Sequence, residues 1–130
     1  MAYAFNDDKS KVEVYTKDDV NKGVKVINAN LSNQSVGASK RERFVTLLSK
    51  PATFIPEGYT PLGVVGIQLS VSSGSTGSLD NLVLSGFRYY RLANDQSDHA
   101  EVFIRNVSNT AVTKLNIYWS ILCIKTSLIS

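Results

Sequence analysis

The sequence predicts an all-β protein, an antiparallel β-sandwich or jelly-roll-like knob preceded by a short charged N-terminal segment. Three observations carry this. Apolar and polar residues alternate with period two in several short runs, Val12 and Val14 against Glu13 and Tyr15, and Ala100, Val102 and Ile104 against Glu101, Phe103 and Arg105. Clusters of Gly, Ser, Asn and Pro separate the runs and give about seven to nine strands at sandwich spacing. Helical periodicity is almost missing, and no fixed-period repeat is present.

In chain order, KVEVYT (residues 11 to 16) has strand alternation. A single helical turn follows from Thr16, with Asp19 completing an approximate capping box and Gly23 ending the turn. VKVINANLS is a second short strand, ended by the loop NQSVGASK. RERFVTLLS fits either a helical turn or a strand, and the β pattern around it with Pro51 close behind favours a strand. PATFIPEGYTP holds all three prolines, each lacking a backbone donor, and therefore reads as an edge or connecting segment.

GVVGIQLSVS supplies a strand centred on Val64 to Val71, and SSGSTGSLDN then reads as a long hairpin loop. It is not a phosphate-binding loop, because no Lys-Ser/Thr pair follows its last glycine and no helix-forming run comes after. LVLSGFRYYRL is an aromatic strand with Phe87 and Tyr89 on one face and Arg88 and Tyr90 on the other. ANDQSDHA is a polar turn. AEVFIRN and AVTKLNIYWSILCIK read as a closing hairpin around Ser108, Asn109 and Thr110. Its first arm has one wet face. Its second is apolar on both, with Leu115, Ile117, Trp119, Ile121 and Cys123 on one side and Tyr118, Leu122 and Ile124 on the other. One face meets the facing sheet; the other needs cover, from another copy of the chain or from the N-terminal half of the same chain.

A chain of 130 residues suits one domain. No apolar run reaches the roughly 18 to 20 residues of a membrane-spanning helix, and the charged start is not a signal peptide, so synthesis and folding in a cytosol are expected. The net charge is +3, a small excess for a nucleic-acid binder. It is unevenly spread: residues 1 to 50 hold nine Lys/Arg and six Asp/Glu, and residues 51 to 130 hold five of each.

Nothing in the chain calls for an enzyme, a cofactor or a metal. The lone His99, with Ser97, Asp95, Asp98 and Glu101 nearby, reads as part of a turn, since one turn seldom sets a nucleophile, base and orienter in working geometry. The lone Cys123 reads as a small buried hydrophobe. Asp18, Asp19, Asn21 and Gly23 miss the calcium-loop pattern, the glycine falling one position early and no Glu closing it. Lys40, Arg41 and Arg43 offer contact to an anionic partner, though three charges interrupted by Glu42 are more often a solvated loop face. Sequons at Asn30, Asn33 and Asn106 carry no weight without a secretory route.

The stretches FNDDKSKVEVYTKDDV, GYTPLGVVGIQLS and AEVFIRNVSNTAVTKLNIYWSILCIK together resemble small structural proteins of tailed bacteriophages, which form fibre tips, baseplate appendages or head fibres. The resemblance covers about two thirds of the chain and rests on strand and turn residues. It implies a non-enzymatic virion component, made in the host cytoplasm, commonly a homotrimer. Residues 1 to 40 would attach to other virion proteins, and residues 41 to 130 would form a β-sandwich that meets the host surface. A repetitive shaft is missing, which favours a short appendage over a long fibre.

Host adhesion through glycans would draw on aromatic and polar residues of exposed loops and strands, for which the candidates are Tyr59, Arg88, Tyr89, Tyr90, Asn94, Asp95, Asp98 and His99. Tyr118, Leu122 and Ile124 are the candidate oligomer interface. The alternatives are a capsid decoration or head fibre with no receptor, and a free-standing carbohydrate-binding module.

Overall fold

The structure is a computed structural model and describes residues 2–5, 11–14, 23–46, 54–94 and 96–129. The expected helical turn at residues 16 to 22, the calcium-like stretch from Asp18 to Asn21 and the candidate Asp95 lie outside the described residues. Strands β1 (Ala2–Phe5) and β2 (Lys11–Val14) pair antiparallel with each other. The sandwich is built from β3 (Val24–Val36), β4 (Arg41–Val45), β5 (Tyr59–Val71), β6 (Leu82–Arg91), β7 (Asp98–Asn106) and β8 (Val112–Lys125).

These six strands form two three-stranded antiparallel sheets, ordered β3-β8-β5 and β4-β7-β6. An all-β sandwich is therefore what the chain forms. It takes in β3, so residues 24–36 of the charged N-terminal part belong to a sheet. β3 also continues past Leu31 to Val36 through two irregularities, one of which places Asn33 at φ 58, so the loop expected from Asn33 is a distorted strand end.

The expected hairpins are redistributed. β5 and β6 lie in different sheets, and so do β7 and β8. Their connections are arches that cross the sandwich, and the described sandwich strands contain one sequential hairpin, β6 to β7. Turn residues permit either outcome; what decides it is that β7 and β8 each take a central place with a neighbour on both sides.

Centrality explains the burial of both strands. Leu115, Ile117, Trp119, Ile121 and Cys123 of β8 are fully buried against Ala100, Val102 and Ile104 of β7, also fully buried. Ala29, Leu31, Phe44 and Ile55 complete the core, with Val64, Ile67 and Leu69 packed against it from β5. The Trp119 indole donates to the carbonyl of Glu101, which satisfies a polar group that would otherwise be costly to bury. Pro61 sits within β5, an edge strand, where a missing donor faces no ladder partner.

Three arches meet at one end of the sandwich and are held there by side chains. Buried Asn106 donates to the carbonyls of Val36 (3.2 Å) and Thr110 (2.8 Å) and accepts from the backbone and hydroxyl of Ser108. Its sequon position is therefore interior. Thr76 of the β5–β6 arch donates through its hydroxyl to the Ala111 carbonyl at 2.9 Å. Gly77 beside it has φ +74, and a Cβ there would stand 2.7 Å from the same carbonyl oxygen, so the close approach requires glycine.

Candidate functional site

Each sheet turns one face outward, and the two outer faces differ in chemistry. On the β3-β8-β5 sheet the ladder brings Val24, Val26, Asn28 and Asn30 beside Ile124, Leu122, Ser120 and Tyr118, with Thr60, Gly63, Gly66 and Gln68 on the far side. No charged residue stands at these positions. Val26 is 53% exposed and Tyr118 39%, while Leu122 and Ile124 are half-buried. Leu62 and Val65, at the two register shifts of β5, are each 58% exposed. The candidate interface residues Tyr118, Leu122 and Ile124 thus share one uncharged face, and β3 flanks them edge to edge without covering them.

The outer face of the β4-β7-β6 sheet is cationic and aromatic. Register places Arg41 opposite Arg105, Arg43 opposite Phe103, and Arg88 opposite Glu101. A bulge between Ser85 and Arg88 sets this last pairing; Gly86 takes φ +64 within it, with Phe103 closing on its Cα. The Arg41 guanidinium lies over the Phe103 ring at 4.1 Å, and that of Arg88 over Tyr90 at 4.5 Å.

Glu101 points to this face but is buried beneath the arginines. Its carboxylate accepts from Arg43 Nε at 2.8 Å, from a second nitrogen of the same guanidinium, and from Arg88 Nε at 3.3 Å. Burial alone would push its carboxyl upward; the hydrogen bonds and charges of Arg43 and Arg88 outweigh that and hold it below the usual range. β7 has the expected apolar inward face and an outward face with Arg105 exposed, but Glu101 on that outward face is covered because Arg43 and Arg88 fold over it.

Asp98 and His99 do not belong to an exposed turn either, for both are fully buried at the start of β7. Asp98 accepts from the Tyr89 hydroxyl, from Arg91 Nε at 2.9 Å and from the Ile55 backbone at 3.1 Å. Burial opposes its charge, but these donors prevail and keep the carboxyl below its ordinary value. Tyr89 is pushed well above the usual phenol range, by burial first and by Asp98 second. His99 Nε2 lies 2.7 Å from the Ser97 hydroxyl, while its Nδ1 has no hydrogen-bond partner among the described residues. Adjacent strand residues point to opposite faces, so the Asp98 carboxylate does not orient the His99 ring, and Ser97, His99 and Asp98 form no relay.

Of the remaining ligand candidates, Arg88 and Tyr90 share the cationic face, with the Tyr90 hydroxyl 3.3 Å from Arg43. Tyr89 turns inward, edge-on to Phe54. Tyr59 opens β5 at the other sheet, with Lys25 Nζ 4.9 Å over its ring, and Asn94 is exposed in the β6–β7 turn. The structure adds Phe103 and Arg105, and places Arg41 and Arg43 in strand β4 rather than on the expected loop face. Their signal in the sequence was alternation: Arg41 and Arg43, like Phe103 and Arg105, are two apart and share a face once the strands are assigned.

Among the described residues no group of three His, Cys, Asp or Glu side chains is placed to hold a metal ion, and no helix is long and apolar enough to cross a membrane. Comparisons with protein-family models, with curated proteins and with solved structures return no match.

Proposed function

We propose that this chain is a non-enzymatic structural protein of a bacteriophage particle, an appendage that self-associates through one sheet and presents the other to the host surface. The observation that carries the reading is the uncharged outer face of the β3-β8-β5 sheet. Solvated sheet faces ordinarily carry Lys and Glu, whereas depletion of charge around half-exposed apolar side chains is the composition of an interface centre. Burying Val26, Leu62 and Val65 would each add roughly 1 kcal/mol, on top of what Tyr118, Leu122 and Ile124 contribute. A homotrimer brings three such faces together around one axis. The phage context comes from the sequence resemblance, and the part of residues 1 to 40 that precedes β3 supplies the attachment to other virion proteins.

Two measurements test this. Light scattering of the purified protein at micromolar concentration should give about three times 14.2 kDa; a stable 14.2 kDa species removes the shared core from the reading. Gold-labelled antibody should mark particles released from cells that carry the gene, and unmarked particles would exclude a virion component.

A further inference from the structure

The β4-β7-β6 outer face holds one like-charge pair that folding does not require. Arg41 and Arg105 stand directly opposite each other on neighbouring strands, and like charges at such positions destabilise a sheet. Neither Arg105 nor Arg41 has a carboxylate partner among the described residues, and Arg41 rests on the Phe103 ring. Further along the same face, Arg43 and Arg88 share the single carboxylate of Glu101 yet leave half or more of their side chains exposed, 50% and 59%. The ladder positions of this face therefore carry four guanidinium groups against one buried carboxylate.

We propose that this face binds a carboxylate-bearing polysaccharide, a polyuronate in its chemistry, with Arg41 and Arg105 gripping one sugar carboxylate between them and Tyr90 and Phe103 offering apolar surface to the sugar rings. This rests on the adhesion reading above and gives that reading its ligand class. Guanidinium forks match planar carboxylates with paired hydrogen bonds, and a bound anion relieves the repulsion between the two arginines. Three strands by four residues make a patch of roughly 10 by 13 Å, the footprint of two or three sugar rings. Nucleic acid fits less well, since tight binding draws on about six to ten phosphate contacts and two of the four arginines here are shared with Glu101.

The test is affinity for polygalacturonate, with neutral dextran and oligo-dT as comparison polymers, at low and at near-physiological salt. The full chain should bind polygalacturonate and ignore dextran. Arg105→Glu should weaken binding by about tenfold or more while leaving the melting temperature equal or higher, because the substitution turns a repulsive pair with Arg41 into an attractive one. Binding to oligo-dT as tight as to polygalacturonate would overturn the assignment in favour of a nucleic-acid partner. Lack of polygalacturonate binding, equal binding of dextran, or an Arg105→Glu protein within about twofold of the parent would also overturn it. A multimer that fails to bind polyuronate defeats this inference alone, and a monomer that binds it defeats the assembly reading alone.

Discussion

Trp119 and Glu101 meet across the sandwich: the indole N–H at the middle of β8 donates to the Glu101 carbonyl at the middle of β7, 3.2 Å away. Both residues belong to central strands, so one hydrogen bond ties the two sheets at the core. Glu101 holds its place twice, by this carbonyl and by a carboxylate turned toward Arg43 and Arg88.

Replacing Trp119 with Phe removes the side-chain bond between the sheets and opens space in a fully packed region. The expected loss is about 2 to 4 kcal/mol in urea unfolding, with an unchanged slope. A loss below about 1 kcal/mol would show that the inter-sheet bond is dispensable.

Acid should destabilise the fold. Asp98 and Glu101 are both held below their ordinary range in the folded chain. The contribution is complete above the unfolded carboxylate values near pH 4 and is lost as pH falls through the lower folded ones, because the unfolded chain takes up protons first. Urea midpoints between about pH 7 and about pH 3 should fall with acid. Asp98→Asn should cost about 2 kcal/mol at neutral pH and flatten the acid limb; an equally steep limb in that variant would assign the effect elsewhere.

Asn106 joins the β3–β4 and β7–β8 arches through its donors to Val36 and Thr110. Asn106→Ala should lower stability by about 2 to 3 kcal/mol, and hydrogen exchange should quicken first at Ser39 and Ser108, whose backbones are bonded at 2.9 Å. Uniform quickening across both sheets would mean that the arches are not a separate unit.

Val26→Glu puts a charge beside Leu122 on the uncharged face. The variant should keep its circular dichroism and melt as a folded protein but sediment as a 14.2 kDa monomer. A variant that sediments like the parent would place self-association elsewhere.

Strand positions were legible because period-two alternation is a local property, and the same alternation placed Leu115, Ile117, Trp119, Ile121 and Cys123 together on the buried face of β8. Partnership was not. Ser108, Asn109 and Thr110 turn a chain equally well within one sheet or between two, so the local pattern does not separate an arch from a hairpin. The burial of Glu101 was hidden for a related reason, since its main partner Arg43 lies 58 residues away. His99 looks like a turn residue in sequence because its polar neighbours dominate the local pattern, while its burial comes from its place in a central strand.

The strand order also sets a timetable for the chain. β3 and β5 flank β8 and do not pair with each other, so Val24 waits for Ile124 and Val64 for Ile121. On a ribosome the first of these sheets has two outer strands and no middle until β8 emerges, whereas β6 and β7 can close as soon as both are made. Folding should therefore be slow for the chain's size and dominated by a late insertion, with β3 and β5 exposed in the interval to pairing with other nascent copies.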